Sequence, residues 1–99
     1  MSSISSIASS GLQAAQLRLD ASANNIANMN TPGYRARQVA QQAAAEGGVD
    51  ASVQRANTAG VSLEKEVVEQ LAAKQAFLAS VQTLRTGDAV LGALLDVRA

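Results

Sequence analysis

The chain has one proline, and the segment around it, Asn30-Thr31-Pro32-Gly33-Tyr34, fixes where its first helix must stop. Pro32 pushes Thr31 out of the helical region and Gly33 permits positive φ. The helix therefore ends near Met29, and Thr31 to Tyr34 is predicted as a turn with Pro second and Gly third. Upstream, Ile4, Ala8, Leu12, Ala15, Leu19, Ala23 and Ile26 recur at steps of three and four, close to a heptad seam, which predicts a helix over 3–29. Gly11 costs this helix about 1 kcal/mol against Ala and lets a neighbouring helix come close. Asn24, Asn25 and Asn28 are also unfavourable, because their amides compete with the backbone for hydrogen bonds. With Leu19, Ala23 and Ile26 inward, a 100° step puts the three asparagines off the stripe. Two readings stay open: a water-facing helix end, or amides bonded to a second chain or to the following turn.

The far end of the chain predicts a second, longer helix over 62–96. Ser62 stands where an N-cap is needed, and Glu64, Glu66 and Glu69 place negative charge at the positive end of the dipole. Leu63, Val67, Leu71, Leu78, Val81, Leu84, Leu91 and Leu95 give its apolar stripe, which resumes beyond the weak point at Gly87-Asp88. Between the helices, over 30–61, Arg35 to Gln42 and Val49 to Arg55 alternate loosely with period two around the turn signal Glu46-Gly47-Gly48. A short β-hairpin and a disordered linker both fit, since an isolated hairpin is marginal in water. Tyr34 and Phe77, the two aromatics, are expected as packing anchors where the hairpin meets the helices.

Helix lengths decide the shape. At 1.5 Å per residue the helices run to about 40 and about 50 Å, against a radius of gyration of about 13 Å for a compact chain this size. The fold class expected is mainly α: an elongated, coiled-coil-like antiparallel pair of N- and C-terminal helices joined by a short β-hairpin or loop, residues 1–99 forming one domain. About a fifth of the chain is Ala, so a core of its own is thin. Flanks rich in Ala, Ser, Gly and Gln suit packing against further subunits.

Composition removes most other functions. The chain has no Cys and no His, which leaves no thiolate chemistry and almost no zinc or haem site. Eight Lys and Arg balance eight Asp and Glu, so no basic field holds nucleic acid or anionic lipid. Arg18, Arg35 and Arg37 are isolated and belong to solvated surface. No nucleophile–base pair, phosphate loop or metal spacing occurs, so no catalysis, cofactor or metal is expected. No apolar run of about eighteen residues predicts membrane insertion, and Met1 to Ile7 lacks the basic and apolar blocks of a cleaved signal peptide.

Both ends together resemble the rod, hook and hook-associated family of bacterial flagellar axial proteins. The N-terminal likeness is carried by Ser10-Gly11-Leu12-Gln13-Ala14-Ala15, Leu19-Asp20, Ala23 to Asn28 and Asn30-Thr31-Pro32-Gly33-Tyr34. The C-terminal likeness lies in Val61-Ser62-Leu63-Glu64-Lys65-Glu66-Val67-Val68, Ala76-Phe77, Leu84-Arg85-Thr86 and Leu94-Leu95. Tyr34-Arg35-Ala36-Arg37-Gln38-Val39 is similar to the start of the proximal rod members. The resemblance implies a structural, self-assembling protein of the flagellar basal body, exported by the flagellar type III apparatus with its N-terminus kept. Its partners would be copies of itself and other axial proteins. Subunit-interface or motif positions implied are Gly11, Leu12, Leu19, Asn24, Asn25, Ile26, Asn28, Asn30, Pro32, Gly33, Tyr34, Leu63, Val67, Leu71, Phe77, Leu84, Leu91 and Leu95. The middle segment is shorter than that family usually carries. The competing expectation is a cytoplasmic helical-hairpin adaptor that dimerises into a four-helix bundle.

Overall fold

The computed structural model describes residues 3–98. Met1 and Ser2, read above for a signal peptide, lie outside the described residues. Helix α1 (Ser3–Ala27) leads into a turn, strands β1 (Arg37–Ala43) and β2 (Val49–Arg55) form an antiparallel hairpin, and helix α2 (Leu63–Arg98) returns along α1. The result is an elongated, mainly helical molecule with extents of 63 × 24 × 14 Å and a radius of gyration of 17.3 Å.

Local chemistry sets each boundary. α1 ends at Ala27, two residues before Met29, because the chain tightens first: the Met29 N–H donates to the Ile26 carbonyl and the Thr31 N–H to that of Asn28. The turn then closes with the Tyr34 N–H on the Thr31 carbonyl at 3.2 Å, Gly33 at φ 74°. α2 starts at Leu63 with Ser62 as cap, its Oγ accepting from the Lys65 N–H. It runs unbroken through Gly87-Asp88 and beyond Leu95.

The seam between the helices is built from small residues. On α1 the buried positions are Ala8, Ala14, Ala15, Ala21, Ser22 and Asn25; on α2 they are Glu66 and Ala73. Ala8, Gly11, Ala15, Arg18, Ser22 and Asn25 follow steps of three and four, a heptad line displaced from the larger apolar residues. Gly11 serves close approach, since a Cβ there would lie 2.6 Å from Ser80 Oγ. The α2 aliphatic stripe joins the seam only in part, at half-buried Val81 and Leu84. Leu63, Val67, Leu71 and Leu78 stay exposed, as do Val90, Leu91, Leu94 and Leu95 past the start of α1. The physical reason is spacing: small side chains let backbones come close, so the Ala, Ser and Gly faces mate and the leucines remain on the flank.

The hairpin packs on α1 alone, neither strand reaching α2. Register runs from Arg37 opposite Arg55 to Ala43 opposite Val49. Facing like charges at Arg37 and Arg55 are unfavourable. Arg55 turns aside to donate to the Arg35 carbonyl, its guanidinium 5.4 Å over the Tyr34 ring. At the tip, Ser10 Oγ accepts from the Val49 N–H at 3.1 Å. Gly48, at φ 88°, lies so close that a Cβ would sit 2.5 Å from that oxygen.

Candidate assembly site

Asn25 organises the region the sequence singled out. Its side-chain amide has two donor hydrogens and two acceptor lone pairs, and all four are used. Nδ2 donates to the Arg37 carbonyl at 2.8 Å and to Glu66 Oε2 at 3.1 Å. Oδ1 accepts from the Arg37 N–H at 2.7 Å and from the Tyr34 hydroxyl at 3.1 Å. The pair of bonds with Arg37 copies the way a neighbouring strand would pair with β1. One residue thus joins α1, the turn, the root of the hairpin and α2. No other side chain of similar size supplies this set: Asp has no donor and would face the Glu66 carboxylate, and Leu offers nothing polar.

The reading that placed Asn25 off the packed face is corrected: Asn25 is 1 % exposed. Its amide bonds within the chain, to the turn and hairpin that follow. Asn24 and Asn28 behave differently. Each bends back on its own helix, Asn24 Nδ2 donating to the Asp20 carbonyl and Asn28 Nδ2 to that of Asn24. Asn28 Oδ1 also accepts from the Thr31 hydroxyl, tying helix end to turn.

Two further contacts lock the helix pair beside Asn25. Ser22 Oγ donates to the Glu66 carbonyl at 3.2 Å. Arg18 grips Glu69 with two bonds, Nη2 to Oε1 at 2.8 Å and Nε to Oε2 at 3.2 Å. The hydrogen bond to Glu69, more than the partial burial that opposes it, raises the Arg18 pKa above its ordinary value. The acids Glu66 and Glu69, expected as helix-start charge, are therefore tertiary contacts. Reading the small residues of α1 as a heptad would have pointed to them, because Arg18, Ser22 and Asn25 then share a face.

The remaining positions fall into two groups. Gly11, Leu12, Leu19, Ile26, Asn28, Tyr34, Phe77 and Leu84 are half-buried; Asn24, Asn30, Pro32, Gly33, Leu63, Val67, Leu71, Leu91 and Leu95 are exposed. Tyr34 sits at the hairpin root as an anchor. Phe77 does not, since the strands stay clear of α2. Between the hairpin and the first turns of α2 lies an open groove of about 710 Å³, floored by Ala21 and Ser22 and edged by Arg37, Val39, Lys65 and Val68. No helix among the described residues is long and apolar enough to cross a membrane.

Residues 6–35 match the family model described as flagella basal body rod protein. No curated protein matches the sequence. The match starts in the first turns of α1 and ends one residue after Tyr34, so it spans the small-residue seam of α1, Asn25 and the Pro-Gly turn. Over residues 6–35, the N-terminal segment of this chain is similar to the flagella basal body rod protein family.

Proposed function

We propose that the chain is a structural subunit of the flagellar basal body, a rod-type axial protein that acts by helix packing and self-assembly rather than by catalysis. The observation that carries this reading is the uncovered aliphatic surface of α2. Leu63, Val67, Leu71 and Leu78 form a flank, and Val90, Leu91, Leu94 and Leu95 an end, that the chain cannot bury on itself. The accessible surface of 6857 Å² supports it, against about 5300 Å² expected for a compact protein of 10.1 kDa. That excess is about twice the roughly 800 Å² that one partner contributes to a standard protein interface. Its partners are copies of itself and other axial proteins, and it reaches the basal body through the flagellar type III apparatus. The family-motif positions act in two ways: Asn25, Tyr34 and Gly11 hold the subunit together, and Leu63, Val67, Leu71, Leu91 and Leu95 meet its neighbours.

Light scattering over a concentration series, with circular dichroism on the same samples, tests the reading. Growing assemblies that gain helix with mass are expected. A fixed small mass, fully helical at every concentration, would replace the axial subunit with a self-contained dimeric adaptor.

A further inference from the structure

Two features without a partner lie at opposite ends of the molecule. The first is the end of α2 beyond Gly87, which carries exposed Val90, Leu91, Leu94 and Leu95 between Asp88 and Asp96. α1 has already ended here, since Ile4 is the side chain nearest Gly87. The α2 seam positions Ala73, Phe77, Ser80, Leu84 and Gly87 continue in register as Leu91 and Leu94, so the packing line runs on past the described residues of α1. The second feature is the groove between the hairpin and the start of α2. Its apolar lining includes Ala36, Val39 and Val68; of its charged side chains, Glu69 is paired with Arg18 and Glu66 accepts from Asn25, which leaves Arg37 and Lys65 at its edge. Neither cation has a carboxylate partner among the described residues, where Arg18–Glu69 forms the ion pair.

Twenty residues of helix, about 30 Å, separate Val68 from Asp88. A chain cannot bend its own end into its own groove, so the two features can meet only between copies. We propose that the α2 end of one copy docks in the groove of the next, Leu91 and Leu94 against its apolar wall and Asp88 and Asp96 toward Arg37 and Lys65. This rests on the assembly reading above and deepens it by naming the two mating surfaces. Different surfaces on the two copies make the contact heterologous, so it adds copy to copy along the long axis, as an open filament wherever the rotation between copies does not close a ring. The groove is open to solvent along the hairpin, so a helix end can lie in it, and the acid–base pairing sets orientation.

The test is a mixing experiment with two variants, both on exposed or groove-edge side chains, each checked for wild-type helicity. Leu91→Asp/Leu94→Asp spoils the end; Arg37→Glu/Lys65→Glu spoils the groove while leaving the Arg37 backbone bonds to Asn25. Each variant alone should associate about a hundredfold more weakly than wild type. Mixed, they should form a one-to-one heterodimer and stop, since one sound end and one sound groove remain. Adding Asp88→Lys/Asp96→Lys to the groove variant should restore long assemblies. If both variants polymerise like wild type, docking is overturned while the assembly reading stands. If the end variant alone loses association, a symmetric end-to-end contact replaces it. A wild-type chain that stays monomeric at every concentration removes the assembly reading itself.

Discussion

The seam between the helices and the outer flank of α2 are built of opposite materials. The seam is mostly Ala and Ser, with Asn25 and Glu66 buried and hydrogen-bonded in it; the flank is Leu and Val, left in water. Hydrophobicity alone would assign them the other way round. The comparison teaches that side-chain size, not only polarity, selects the inner face of a close helix pair. Small residues permit the approach that buries backbone and satisfies Asn25, and the larger side chains become available for contact outside the subunit.

Breaking the seam should cost most. Asn25→Leu leaves the Arg37 N–H and carbonyl, the Tyr34 hydroxyl and the Glu66 carboxylate without their shared partner. Urea denaturation is expected to show a loss of about 3 kcal/mol. Ala73→Leu forces a large side chain into the seam, where Ala73 is fully buried. It should lose about 2 kcal/mol in the same measurement. A variant as stable as wild type would mean that the helices are not held at the spacing described.

The hairpin attachment is a smaller matter. Gly48→Ala meets both a positive φ of 88° and Ser10 Oγ. A loss of about 1.5 kcal/mol is expected, with faster hydrogen exchange at the Val49 amide while the helices keep their protection. The flank sharpens the contrast from the other side. Leu71→Ser removes an aliphatic side chain, yet denaturation of the monomer should shift by no more than about 0.5 kcal/mol. Sedimentation of concentrated samples should show weaker self-association. A large loss of monomer stability would return Leu71 to the core.

Much of this fold was legible because its signals are local. The Pro-Gly turn, the Ser62 cap and the Glu46-Gly47-Gly48 signal each act within a few residues of the backbone they shape. Asn25 was legible as an anomaly and not as a function: an amide that weakens a helix asks for a partner, but nothing in a linear pattern says that Arg37 and Glu66 supply it. Glu66 and Arg18 passed for ordinary surface charge for the same reason. Leu63, Val67 and Leu71 misled, because a stripe of large aliphatics marks a face that seeks cover without saying whether that cover lies in the same chain.

By itself, the sequence determined two long helices of roughly the observed extent, and an elongated molecule with too little bulk for a compact core, since these follow from local propensity and rise per residue. Only the tertiary structure decided which faces of those helices meet, which chain segments claim the four hydrogen bonds of Asn25, and which leucines stay outside. Those choices depend on backbone separation across the pair, a distance that no residue sets alone.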